Sequence, residues 1–270
     1  MGLVDTHCHL YLEHFDADLP AVLAHAWDSG LTKILIPGID LKSSRAAIEL
    51  AESDPRLFSS VGVHPNDALT WDDSTYQHLK TLAQHPKVVA VGEIGLDYYR
   101  DRAPKELQIR ILEQQLSLAE ECGLPVIIHN RQAVEDLWPI LQDWQARLTH
   151  THPALAARPG VLHAYDGQAE LGKAAVKANF FLSVGGPITY KSAQSRYSSL
   201  AELPLTSLLL ETDAPFLPPH PYRGQRNEPA YLTVVANQLA EILQRPAAEI
   251  VGVTQDNANR LFAWGTTLEH

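Results

Sequence analysis

Short apolar runs alternate with segments of helical period along almost the whole chain, and this alternation restricts the fold more than any other feature. Leu19, Val22, Leu23 and Ala26 recur at helical spacing, which predicts a helix over residues 17–30 with Gly30 as its stop. Residues 31–36 then read as a short buried strand. The unit recurs as helix 41–53, strand 57–63, helix 74–84, strand 87–92, helix 105–122 and strand 124–128. It continues as helix 132–147, strand 160–162, helix 168–178, strand 179–184, a weaker helix near 192–200 and strand 206–210. With the N-terminal run over residues 1–10 this makes eight strands, several of them the near-continuous apolar type that helices cover in a parallel sheet. A closed (β/α)8 TIM-type barrel is the natural solution. An open, doubly wound sheet would want a glycine-rich turn after its first strand, where Asp5-Thr6-His7-Cys8-His9 stands instead. Residues 228–243 and 246–262 read as extra C-terminal helices. No low-complexity linker precedes them, so residues 1–267 are expected to form one domain, and Leu268-Glu269-His270 look like the start of a purification tag.

The strand ends carry the chemistry. Asp5, His7 and His9 alternate along the first strand and so project to one side. His64 follows the third strand, Glu93 the fourth, His129 the fifth, His163 the sixth and Asp213 the eighth, on the face where barrels build active sites. A lone histidine in such a place is usually a hydrogen-bonded core or surface residue; recurrence at equivalent positions is not explained that way. His7, His9, His129 and His163, with Glu93 and Asp213, suffice for two divalent cations ~3.5–4 Å apart bridged by a carboxylate. Glu93, whose strand lies between those of the other ligands, is the expected bridge. His7, His9, Glu93 and Asp213 then take one ion, and Glu93, His129 and His163 the other. Such a pair favours an anionic substrate such as a phosphodiester and acidifies a water toward neutrality. Asp213 can both ligate and accept that proton. The ligand types suit zinc, manganese, iron or nickel, with magnesium less at home among imidazoles.

Net charge enters at this point. The formal value of -11 argues against a protein that coats nucleic acid through a basic surface. It does not exclude a nuclease, because two cations create their own local positive field. No twenty-residue apolar run or basic-then-apolar leader is present, and Cys8 and Cys122 make no disulfide framework. A cytoplasmic enzyme with no membrane segment and no obligate protein partner is expected.

The motifs resemble the TatD family of metal-dependent deoxyribonucleases, within the amidohydrolase-like barrels. The matching stretches are Val4-Asp5-Thr6-His7-Cys8-His9-Leu10, Gly62-Val63-His64-Pro65, Gly92-Glu93-Ile94-Gly95-Leu96-Asp97-Tyr98-Tyr99 and Pro125-Val126-Ile127-Ile128-His129-Asn130-Arg131. They resume with Gly160-Val161-Leu162-His163, Leu210-Glu211-Thr212-Asp213-Ala214-Pro215, Arg223-Gly224-Gln225-Arg226-Asn227-Glu228-Pro229 and Asn257-Ala258-Asn259-Arg260-Leu261-Phe262. The resemblance implies a dinuclear barrel releasing nucleotides from DNA ends, with ligands at the six positions named above. One stretch departs from the family pattern: after His163 come Ala164-Tyr165-Asp166-Gly167, where the family often has Cys or Gly and then Phe-Ser-Gly. Asp166 is expected to bring negative charge near the site, which leaves open whether the family's substrate preference carries over.

His64, Arg131 and Arg223 are candidate substrate residues. His64 is read as contacting a phosphate or polarising the leaving group, against a structural role in a Gly-x-His-Pro turn; Arg131 as either holding a phosphate through its forked donors or a surface or helix-start residue; and Arg223 as either a phosphate contact or a loop fastener. Asp5 is read as a partner that orients a histidine. A second His-x-His, His150 and His152, falls on the opposite face and is read as surface, and Cys8 as a packed residue rather than a nucleophile. Two other functions stay open. Amide or lactone hydrolysis occurs in related barrels, many with a modified lysine where Glu93 stands. The third is a metal-binding barrel kept for scaffolding.

Overall fold

The computed structural model describes residues 2–264; the three C-terminal residues read as a tag lie outside the described residues. The strands are β1 (Leu3–Asp5), β2 (Leu31–Pro37), β3 (Leu57–Val61), β4 (Val88–Asp97), β5 (Val126–Arg131), β6 (Gly160–Leu162), β7 (Phe181–Val184) and β8 (Leu208–Leu210). They form one eight-stranded sheet in sequence order. Adjacent strands run parallel, as in β1 with β2, β4 with β5, and β7 with β8. Backbone bonds tie the segment after β1 to β8 and the segment after it: Thr6 N–H donates to Leu210 O, Asp213 N–H to His7 O and His9 N–H to Ala214 O, at 3.1, 2.9 and 2.8 Å. Sequential order with that last connection is the topology of a (β/α)8 barrel.

The helices are α1 (Leu19–Asp28), α2 (Leu41–Glu52), α3 (Thr75–Leu82), α4 (Lys105–Cys122), α5 (Val134–Thr151), the short α6 (Pro153–Ala156), α7 (Ala169–Lys177), α8 (Gln194–Tyr197), α9 (Leu232–Leu243) and α10 (Ala247–Phe262). Local chemistry sets their ends. Asp40 and Ser43 close a reciprocal capping box at the start of α2, and Gly123, at φ 65°, lets α4 stop in the left-handed region. Among the described residues no helix is long and apolar enough to cross a membrane.

Two compact units can be described. The first comprises Met1–Ile36, Ala164–Lys177 and Phe181–Arg260; the second comprises Pro37–His163, Ala178–Phe180 and Leu261–His270. In the first, β1 and β8 have three residues each and all are buried. In the second, β4 runs for ten residues and all ten are buried, including Glu93 and Asp97. Polarity at Glu93 makes the sequence-based boundary stop too soon. The strand continues because Gly95, Leu96 and Asp97 pair with His129, Asn130 and Arg131 of β5. Gly95 is required there: its φ is 144° and a Cβ would run into the His129 backbone carbonyl.

Candidate metal centre

In the first unit β1 has only three residues, so His7 and His9 lie past the strand rather than on it. They are held by the bonds to the segment after β8 and by Asp5. Asp5 is fully buried and accepts from His7 N–H at 3.2 Å, Thr212 N–H at 2.9 Å and Thr212 Oγ1–H at 2.6 Å. Burial pushes the Asp5 carboxyl up to about 8, against the pull of those donors. Asn227, also fully buried, donates to Thr212 O and Phe216 O and so frames the Asp213 loop. Asp213 itself sits at φ 56°, a conformation that aspartate tolerates better than most residues.

These supports bring three groups together. His7 Nε2 and His9 Nε2 are 3.1 Å apart, and Asp213 Oδ1 lies 3.8 and 3.5 Å from them. His9 Nδ1 meets Tyr11 Oη at 3.1 Å. A proton on Nδ1, donated to that phenol, leaves the Nε2 lone pair pointed at the cluster.

In the second unit Glu93 Oε1 is ringed by nitrogens. His129 Nδ1 and His163 Nε2 are both at 2.9 Å, and His64 Nε2 is at 3.4 Å. His129 Nδ1 and His163 Nε2 are 3.3 Å apart. Asp97 Oδ2 is 3.4 Å from the other nitrogen of His129, so the imidazole is clamped between two carboxylates. Burial pushes His129 down, but the bonds to Asp97 and Glu93 outweigh it and the net shift is upward. For Asp97 burial works upward, yet His129 and the backbone N–H groups hold it well below the usual carboxylate range.

His64 behaves differently from its neighbours. Its Nδ1 accepts from Asn66 N–H at 3.0 Å, and burial lowers its pKa to about 4. A neutral ring that accepts at Nδ1 carries its proton on Nε2, the nitrogen facing Glu93. That makes His64 a donor rather than a ligand. The remaining groups fit cations well, because a shared proton can satisfy only one pair within each cluster, whereas a cation satisfies every inward lone pair at once.

Arg131 ends β5, and its guanidinium lies 4.0 Å from the Tyr99 ring centroid. Arg223 is exposed with its guanidinium 4.4 Å from the Tyr190 centroid. Arg226, by contrast, is bound to Asp18, Glu228 and the His14 carbonyl. Asp166 accepts from Gln168 N–H and from its side-chain amide, so its charge is engaged in the turn before α7. His152 meets Glu120 at the exposed end of α5, and Cys8 is a buried thiol whose pKa burial raises further. Sequence reasoning assigned no role to Asp97, Tyr11, Thr212 or Glu211. For Asp97 the signal was its period-two spacing from Gly95 and Glu93. Glu211, buried, accepts from Ala164 N–H at 2.7 Å just after His163.

A family profile described as "TatD related DNase" matches residues 4–263. A Bacillus subtilis (strain 168) protein named "Uncharacterized metal-dependent hydrolase YabD" is 41% identical over 260 residues, 96% of this chain and 98% of that one. An Enterobacter lignolyticus (strain SCF1) protein named "3'-5' ssDNA/RNA exonuclease TatD" is 34% identical, over 96% of this chain and 98% of its own. Among solved structures, YJJV, a TatD homolog from Escherichia coli K12, matches with a TM-score of 0.89 at 35% identity. It covers 97% of this chain and 98% of that one.

Proposed function

The chain belongs to the TatD-related DNase family, and on that premise we propose that it is a metal-dependent nuclease hydrolysing phosphodiester bonds in DNA. Residues 1–267 act as one cytoplasmic hydrolase domain. His7, His9 and Asp213 hold one divalent cation; Glu93, His129 and His163 hold a second. Zinc, manganese, iron, nickel and magnesium are the candidates. When bound, the cations supply Lewis acidity toward a phosphoryl oxygen and lower the pKa of water. Asp213, whose side chain is 16% exposed, accepts the proton of the attacking water. His64 donates from Nε2 to a phosphate or leaving-group oxygen. Arg131 and Arg223 hold phosphate through their forked donors.

The observation that carries this reading is the turning of ring nitrogens onto Glu93 Oε1 in one cluster and Asp213 Oδ1 in the other. The test is turnover by the chelated and then metal-reloaded protein. Substrates are a single-stranded DNA oligonucleotide, a phosphodiester dye ester and a panel of lactones, each cation being tried in turn. Metal-dependent cleavage of the first two is expected. Lactone turnover alone would assign amidohydrolase chemistry, and silence on all three would leave a metal-binding barrel.

A further inference from the structure

Where β4 and β5 end side by side, Asp97 pairs with Arg131 and Tyr98 N–H donates to Arg131 O at 2.9 Å. Two tyrosines follow, and they differ. Tyr98 is engaged, its hydroxyl donating to Asp136 at 2.7 Å and its ring lying under Lys105 Nζ. Tyr99 is 57% exposed, a large aromatic surface left toward solvent.

Its placement is nevertheless fixed. Tyr99 N–H and Arg100 N–H both donate to Asp97 Oδ1, at 2.9 and 3.0 Å. The other oxygen of the same carboxylate faces His129 Nε2. One buried side chain thus sets both the candidate ligand and the turn that carries the tyrosine. Arg131 stands two residues beyond His129 on β5, on the same face and about 7 Å farther along. The guanidinium covers one side of the Tyr99 ring. An isolated exposed aromatic would need no explanation. One locked to a candidate metal ligand and backed by an arginine matches the pairing of stacking ring and phosphate-binding cation used on single strands.

We propose that Tyr99 is a stacking platform for one nucleobase of a single-stranded nucleic acid, the base lying on the ring face that Arg131 leaves open while Arg131 takes an adjacent phosphate. The proposal rests on the nuclease reading above. A base paired and stacked within a duplex cannot lie there, so the platform selects unpaired ends.

The experiment compares wild type, Tyr99→Ala and Tyr99→Phe on three substrates. These are a short single-stranded DNA oligonucleotide, the same oligonucleotide with one abasic residue moved through each position, and methyl nitrophenyl phosphate. Tyr99→Ala is expected to raise KM on the intact oligonucleotide about 5- to 150-fold, the range that loss of one stacked base implies. Turnover of the small diester should be unchanged, and Tyr99→Phe should restore the oligonucleotide KM. At one position the abasic residue should cost wild type the same factor and Tyr99→Ala nothing more. Equal losses on the small diester, an unaltered oligonucleotide KM, or additive losses at every abasic position would each overturn the platform alone. A wild type that cleaves the small diester but no oligonucleotide would overturn the nuclease reading and the platform with it.

Discussion

The two clusters gather the same kinds of donor but are built in opposite ways. In the first unit His7, His9 and Asp213 sit on irregular chain beyond three-residue strands, and side chains fasten them: Asp5 reaches Thr212 across 207 residues of sequence, and Asn227 ties down the loop. In the second unit His129 lies inside β5, in register with Gly95 of β4; Glu93 lies inside β4 at the irregular step between the Val91 and Ile94 pairs, its N–H donating to Gly38 O, and His163 follows the last residue of β6. A strand ladder fixes the backbone of such donors through many bonds and leaves a side chain such as Asp97 only the ring orientation to set. A loop cluster concentrates that duty in a few buried groups. The loop-built cluster also keeps the more open carboxylate, Asp213 at 16% against Glu93 at 4% exposure of the side chain. Openness suits a group that must exchange protons with an incoming water, and enclosure suits one that holds charge.

The largest expected effect tests that division. Asp213→Asn should keep much of the bound metal, because His7 and His9 remain, while lowering turnover of a DNA oligonucleotide about 10²- to 10⁴-fold through loss of the general base. Glu93→Gln should do the reverse and lower metal content as well as turnover, since a neutral amide is a poor partner for a cation held with two imidazoles. Metal per chain and turnover, measured together at one metal concentration, separate the two. Proportional loss of both in the Asp213 variant would make it only a ligand.

A pH titration of the metal-free protein sharpens the contrast inside the second unit. His64 is depressed from 6.5 to about 4, so the folded state disfavours its proton, and stability falls as pH drops from 6.5 toward 4. The full shift corresponds to a loss of about 3 kcal/mol. His129 is raised, so its contribution is fully present below 6.5 and is lost as pH climbs through its folded value. Chemical denaturation across this range should therefore show opposite corrections: His64→Asn lessens the acid-side fall, and His129→Asn lessens the fall above 6.5, to which Asp5, raised to about 8, also contributes. A variant that shifted the whole curve without changing either limb would contradict these assignments.

The alternation of strand and helix was legible because buried parallel strands leave apolar runs that no other element interrupts. Strand ends were not. At Glu93 and His129 the strands run on through polar residues whose side chains meet one another, and hydropathy reads such residues as loop. At His7 the error runs the other way, since period-two spacing persists where the strand has already ended. The candidate ligands could be read from residue type at strand tips. Of their supports, Asp97 was marked only by its period-two spacing from Glu93, and Tyr11 and Thr212 not at all, because orienting groups are defined by which atom they face rather than by residue type. Asp166 was read as charge near the site; its carboxylate accepts from Gln168 N–H and from the Gln168 amide.

Those supports give the smallest of the expected effects and the most direct comparison. His129 is oriented by a carboxylate and His9 by a phenol. An anionic partner at Asp97 both fixes the ring and makes it a better donor to a cation, whereas the neutral hydroxyl of Tyr11 mainly fixes the ring. Asp97→Asn should weaken cation affinity 10- to 100-fold, the usual range for such partners, and Tyr11→Phe should weaken it by less. Competitive titration with a coloured chelator would measure both, with zinc as the probe and circular dichroism confirming that each variant folds. Asp97 also accepts from Tyr99 N–H and Arg100 N–H, so part of its loss could come from the loosened turn rather than the ring. Tyr99→Ala leaves the carboxylate and its backbone bonds in place and should not change zinc affinity, which separates the tyrosine side chain from the loss. If Tyr11→Phe cost as much as Asp97→Asn, charge would not be what distinguishes the two supports, and orientation alone would account for both.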